Sequence, residues 1–316
     1  MPIFLGHRTA ELILDKHFDE PLQTVEDQSL DHCWSSQLDL SQLDLTPLTD
    51  IPLPFDVLVT NPNSLTKWSG VRCHLCSPNL PYASFLEITP DIYVSSPAFC
   101  LIQRARELTL AQTIALASRF CGNYALDKTE PSGIRQRQPL TTPEELLSYT
   151  NHCKGIKGVK RARRAASLAF PNSASPMETI SMLVYCLPTR LNGLGLSTPA
   201  MNYEQTLSPK AKRLIGTDFI RIDLYWRQHR FGLEYQGRYS HTSDTDIAND
   251  IARQLAAKAM GIDLQMLTIE QLRNPYQRLA IAQTIATHTG EGLPATKHIL
   301  GANQRLIEEL LLPLGS

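Results

Sequence analysis

No stretch of this chain approaches the roughly 20 consecutive apolar residues that a membrane-crossing helix requires, so no membrane association is expected from it. Its opening residues, MPIFLGHRTAELILDKHFDE, carry acids and lack a cleavable signal pattern, and the expectation is a cytoplasmic protein. An excess of charge of one sign is also missing. With 30 Lys and Arg against 31 Asp and Glu, no global positive field marks a nucleic-acid binder, and any such partner must be held by a local patch. Cysteine is sparse and scattered, 7 in 316 residues, which argues against a disulfide framework and fits reduced thiols. Cys73-His74-Leu75-Cys76 has the spacing of half a zinc site, but no second CxxC or HxxxH follows it, and only His32 and Cys33 lie near enough in sequence to complete four ligands. Strand residues with inward-facing cysteines are the preferred reading. Asn192-Gly193-Leu194-Gly195 lacks the order GxGxxG and reads as a loop rather than a phosphate cradle.

What is present is enough apolar residue, 42%, for globular cores, and a length that suggests two domains. The predicted fold class is α/β: a smaller α+β domain over 1–150, then a mixed sheet flanked by helices over 151–316. Residues 1–53 read as an irregular, leucine-anchored segment, whose SSQLDLSQLDL echo is too short for a repeat architecture. Phe55–Thr60 is β-branched and closes on the turn cluster Asn61-Pro62-Asn63-Ser64. Ser96-Pro97 starts a helix, Thr109 begins another that stops at Gly122, and 128–150 is linker-like in its proline content before Thr142-Pro143 opens a short helix.

One basic cluster stands out. Lys154, Lys157, Lys160, Arg161, Arg163 and Arg164 can contact phosphates, while a charge run of this kind also suits a solvated helix face. It directly precedes the richest stretch of the chain. Ser175-Pro176-Met177-Glu178 matches a capping box, in which the Glu178 carboxylate reaches back to the serine N–H; the competing reading aims Glu178 at the sheet. Phe219–Trp226 and Phe231–Gln236 alternate as two strands, predicting a hairpin across Arg227–Arg230 that brings Asp223 close to Glu234. Glu234 and Gln236, two apart, share one face. Acids are depleted from strands, and two of them in paired strands can hold one divalent cation through oxygen. His241 follows in a loop, and Asp244–Met260 forms a helix with Ile247, Ile251 and Leu255 facing the core. On its other stripe Arg253 either pairs with Asp250 at i, i+3 or points over the sheet edge at a phosphate.

The order of these features is helix with Glu178, strand, strand with Asp223, strand with Glu234-x-Gln236, helix with Arg253, glycine, strand. It resembles the restriction-endonuclease-like PD-(D/E)xK superfamily, and within it the group related to very-short-patch-repair endonucleases. The resemblance covers about 155–290 and rests on SPME, RIDLYW, LEYQG and His241 together. It implies a bacterial, metal-dependent DNA endonuclease or nickase using Mg²⁺ (or Mn²⁺). In that scheme Asp223 and Glu234 would be metal ligands, Glu178 an auxiliary acid, and Gln236 would take the place of the usual lysine. Glutamine carries no positive charge to steady an attacking hydroxide, so His241 or Arg253 would have to supply part of that role; otherwise the domain would be a DNA-binding regulator without chemistry. In relatives such a domain often follows a region resembling the antitoxin of abortive-infection type IV systems, which implies a DNA-binding or protein-partner role for residues 1–150.

Overall fold

The computed structural model describes residues 2–16, 22–25, 43–62, 65, 69–77, 79–237, 244–293 and 296–312, with the backbone alone for 244–247 and 296–298. The chain is a mixed α/β protein of two units. Unit 1 comprises Met1–Phe120, Ala125–Arg135 and Leu140–Ala169; unit 2 comprises Cys121–Tyr124, Gln136–Pro139 and Phe170–Ser316.

Strands β1 (Ile3–Leu5), β2 (Gln23–Thr24), β3 (Phe55–Val59), β4 (Val71–Leu75), β5 (Phe85–Thr89) and β6 (Ile92–Ser95) form the sheet of unit 1 in the order β2-β5-β6-β1-β3-β4. The helices are α1 (His7–Asp15), α2 (Pro97–Arg104), α3 (Leu110–Phe120), α4 (Pro143–His152) and α5 (Val159–Ala166). The first residues are therefore more regular than their polar surroundings suggest. β1 is buried throughout and sits inside the sheet, parallel to β6 and antiparallel to β3. Three apolar residues are too few to show a period, but a strand covered on both sides needs none. Phe4 meets Phe85 edge-on at 4.8 Å, and Phe99 and Leu58 complete that core cluster.

Unit 1 also buries charge. Glu11 on α1 accepts hydrogen bonds from Arg104 Nε at 2.6 Å and Arg119 at 2.7 Å. Burial pushes its carboxyl up, but the charges of Arg119, Arg104 and Arg8 outweigh this and hold it at about 2. Cys73 to Leu75 of the CxxC stretch lie in strand β4, as the preferred reading has it, while Cys76 follows the strand and both cysteines are half-buried. Burial raises both thiols, Cys76 to about 12, and His74 turns to Asp56 with 2.7 Å between Nε2 and Oδ1. His32 and Cys33, and 35–42 of the leucine echo, lie outside the described residues.

The boundary between the units falls after Ala169 rather than after residue 150, because the basic helix packs back. Val159, Ala162, Ala165 and Ala166 of α5 are buried, and α5 lies against α3 and α4. Two of its arginines are engaged locally: Arg161 donates to the Ala105 carbonyl at 2.8 Å and Arg163 to that of Thr150 at 2.6 Å. Lys154, Lys157, Lys160 and Arg164 remain exposed. The proline-rich 128–150 is no plain linker either. The segment 121–139 holds β7 (Tyr124–Leu126) and β8 (Ile134–Gln136), and α4 begins at Pro143 with the Thr142–Glu145 capping box.

Unit 2 adds α6 (Pro176–Cys186), β9 (Ala200–Thr206), α7 (Pro209–Ile215), β10 (Phe219–Trp226), β11 (Phe231–Tyr235), α8 (Asp244–Ala259), β12 (Asp263–Leu267), α9 (Ile269–Arg273), α10 (Pro275–Thr289) and α11 (Thr296–Leu311). Its sheet runs β12-β11-β10-β9; β9, β10 and β11 are antiparallel neighbours, and β12 returns parallel to β11 after α8. The hairpin forms where the alternation places it, with Trp226↔Phe231 and Leu224↔Leu233 paired across a turn at Arg227–His229.

The core face of α8 differs from the expected one. Ile251 and Leu255 are 53% and 51% exposed, while Ala256 and Ala257 are buried with Ala211 of α7; the side chain of Ile247 lies outside the described residues. The two helices pack on each other through alanine, whose small side chain permits close approach, so the larger apolar residues face away. Gly193 has a packing role: a Cβ there would stand 2.0 Å from the Leu187 carbonyl oxygen, so the glycine-containing segment is a tight loop.

Behind α6, the buried Arg278 donates through Nε to Asn303 Oδ1 at 2.6 Å, and Asn303 Nδ2 donates to the carbonyls of Val184 and Asn192. Removing one member leaves buried polar groups without partners. Asn303→Ala should therefore lower the stability of unit 2 by about 2–3 kcal/mol, read as an earlier midpoint in urea unfolding; an unchanged midpoint would show the network to be dispensable.

Candidate active site

Asp223 and Glu234 come from adjacent strands. The register Leu224↔Leu233, continued by one residue, sets them opposite each other, and the amide of Tyr235 donates to Asp223 Oδ2 at 2.8 Å. Neither strand is an edge: β10 lies between β9 and β11, and β11 between β10 and β12. A solvent-facing aspartate on a sheet border is thereby excluded. On the other flank, pairing passes from Ile222↔Tyr203 to Leu224↔Met201, skirting Asp223 and Asn202. Asn202 adopts the left-handed φ of 47°, a conformation asparagine tolerates better than most residues. Its side chain donates to Glu178 Oε2 at 2.5 Å and to the Asn172 carbonyl at 2.8 Å.

Glu178 sits in the first turn of α6, whose N-cap Ser175 accepts from the Glu178 amide at 3.2 Å. The reciprocal half of the expected capping box is replaced. The Glu178 carboxylate passes over the Ser175 amide and takes the Ala174 amide at 2.8 Å together with Asn202. Glu178 thus faces the sheet, near enough for its charge to act on Asp223.

The electrostatics of the three acids agree with one another. Desolvation raises Asp223 to about 7, helped by the charge of Glu178 and opposed by the Tyr235 amide. Glu234, only 8% exposed, is raised to about 7 by burial, which outweighs the pull of Arg253; the charge of Asp223 adds to the rise. Glu178 is raised as well, chiefly by burial, against its bonds to Ala174 and Asn202. Arg253 does not rest on the solvent side of its helix: its guanidinium donates to Glu234 Oε1 and, at 2.9 Å, to the carbonyl of Arg221. Gln236 follows β11, and its amide donates to the Leu267 carbonyl at 2.9 Å.

The structure therefore brings Asp223, Glu234, Glu178 and Arg253 together and sets Gln236 just beyond them, while His241 lies outside the described residues. Lys157, Lys160, Arg161, Arg163 and Arg164 belong to unit 1. Sequence reasoning missed Asn202. A polar residue mid-strand is its one sequence signal, and only the break in the ladder turns it toward Glu178. Two close carboxyls are pushed toward their neutral form by burial and by neighbouring acids, and a hard divalent cation would relieve that cost. Asp223 and Glu234 are the residues that would hold Mg²⁺. Among the described residues no group of three His, Cys, Asp or Glu converges as a metal cage. Mg²⁺ needs none, because it keeps several waters and commonly binds through one or two carboxylates. No family model, curated protein or solved structure matches the chain.

The raised carboxyls set a pH dependence. Between their ordinary 3.8 and 4.5 and the folded value of about 7, the native state keeps protons that the unfolded chain has released. This contribution to stability is complete below about pH 4 and is lost as pH rises through about 7. Asp223→Asn should therefore gain Tm relative to the wild type as pH increases from 5 to 8. A difference that stays constant across this range would contradict the assignment.

Proposed function

We propose that unit 2 is a metal-dependent DNA endonuclease or nickase that hydrolyses phosphodiester bonds. The single observation that carries this reading is the pairing of Asp223 with Glu234 on adjacent inner strands, both pushed up to about 7 by burial and by neighbouring charge. It is supported by the resemblance of SPME, RIDLYW and LEYQG to the PD-(D/E)xK superfamily. A bound Mg²⁺ or Mn²⁺ would lower the pKa of a coordinated water and neutralise charge on the phosphate. The chain's own residues do the rest. Asp223 and Glu234 supply ligand oxygens, and the Tyr235 amide orients Asp223 through Oδ2. Arg253 holds Glu234 and brings into the site the positive charge that Gln236 lacks. Glu178, fixed by Ala174 and Asn202, adds its charge to the burial that raises Asp223 and serves as the auxiliary acid.

A second reading has its own observation in Gln236, which stands where the superfamily places lysine. In that reading the domain is a DNA-binding regulator or antitoxin that keeps the fold without the chemistry, and unit 1 supplies phosphate contacts through the exposed Lys154, Lys157, Lys160 and Arg164.

Incubation with supercoiled plasmid in Mg²⁺, Mn²⁺ or EDTA separates the two. The nuclease reading expects metal-dependent nicking that falls by at least about a hundredfold in Asp223→Ala and in Glu234→Ala, with circular dichroism unchanged. Cleavage that persists in both variants would sink it. Salt-sensitive binding without cleavage, unaltered by Asp223→Ala and weakened when Lys160 and Arg164 are neutralised, is the outcome that favours the regulator.

A further inference from the structure

Beside Glu178 lies an open polar cleft of about 650 Å³, every lining residue of which belongs to unit 2. Its lining is dominated by one chemistry. Asn123, Gln136, Gln138, Asn172 and Asn202 contribute five carboxamides from three separate parts of the chain. Met201 supplies apolar surface, and Arg137 and Arg221 supply positive charge. Part of this lining is held in place. Gln136 donates to the Ala174 carbonyl at 3.1 Å, Asn202 to the Asn172 carbonyl at 2.8 Å, and Arg221 pairs with the exposed Glu204 at 2.9 Å. Two lining residues join the cleft to Glu178, since the Ala174 amide and the Asn202 side chain both donate to its Oε2.

A carboxamide offers a donor pair and an acceptor in one plane, which lets asparagine and glutamine read the edges of bases. How the amides are presented then decides what they can read. A duplex exposes base edges in its grooves, and protruding helices or ribbons reach them there. Here Asn123 and Asn202 are half-buried and Gln136, Gln138 and Asn172 exposed along an open concavity; a concave surface does not enter a groove, and its amides meet a base edge only when the base has left its stack. A volume of 650 Å³ falls in the range of sites that enclose a small organic ligand, enough for a nucleotide with its water. Arg221 can exchange Glu204 for a phosphate, which a guanidinium engages at two oxygens.

We propose that this cleft seats one unstacked nucleotide of a single-stranded DNA segment, its base read by the carboxamides and its phosphate drawn to Arg221, beside the carboxylate pair. The assignment rests on the nuclease reading of unit 2 for its identification of DNA and adds the form of DNA that the site prefers.

The test is fluorescence anisotropy with the full chain in EDTA, so that no cleavage occurs. The probes are a labelled oligonucleotide as a single strand and as a fully paired duplex. The single strand should bind about tenfold more tightly than the duplex, and Asn123→Ala and Gln138→Ala should each weaken the single strand about tenfold and leave the duplex unchanged. Equal affinity for the two forms overturns the proposal, as does an unaltered single-strand affinity in both variants with melting temperatures kept. Displacement of the strand by the four deoxynucleoside monophosphates at matching concentration overturns the assignment to a strand. Because binding is read without metal, a strand preference in a protein that never nicks DNA removes the nuclease reading alone, and nicking without that preference removes the cleft assignment alone.

Discussion

Unit 2 places three acids where burial pushes each of them toward its neutral form. Asp223, Glu234 and Glu178 are close enough to raise or sustain one another's proton affinity, and Arg253 is the cation bonded to one of them. Placing two carboxylates on inner strands is unfavourable unless they are neutralised. Each surrounding element then acquires a reason. The β10–β11 hairpin sets the pair opposite each other, the first turn of α6 presents the third acid, and α8 carries the guanidinium back to the sheet after the chain leaves β11.

Unit 1 solves the opposite problem. Its buried Glu11 is surrounded by Arg8, Arg104 and Arg119 and remains ionised, so the same residue type that is strained in one unit is satisfied in the other. The contrast is between an acid whose guanidinium partners outweigh its burial and acids in which burial prevails. Acids shifted in this way are concentrated at functional sites. His7 and His74 add a stacked pair at 3.8 Å, with Glu107 on His7 and Asp56 on His74, a cluster that no local spacing in the sequence announces because its members lie up to 100 residues apart.

The parts of the fold that sequence reveals are those encoded locally. Ser96-Pro97, Thr142-Pro143 and Ser175-Pro176 begin helices because capping chemistry resides within four residues. The hairpin follows from alternation over two runs and a polar turn. What stays hidden depends on partners distant in the chain. Ile3–Leu5 becomes an inner strand only because β3 and β6 flank it. The core face of α8 is not legible because period four identifies an apolar stripe without saying what covers it, and Ala256 with Ala257 meets α7 instead. Glu178 is legible as an N-terminal acid, but its turn from Ser175 toward Ala174 and Asn202 requires a strand some twenty-four residues further on.

The position of Asn202 has a consequence for how the site responds to its occupants. One amide group lines the cleft and also donates to Glu178, whose charge adds to the rise that burial imposes on Asp223. Any ligand that draws this amide away changes the charge balance at the acids. Reciprocity of linked equilibria then requires that protonation of the acids change the affinity of the cleft by the same factor. Occupancy of the cleft and protonation of the acids would thereby be joined through a single side chain, the amide that both lines the cleft and donates to Glu178.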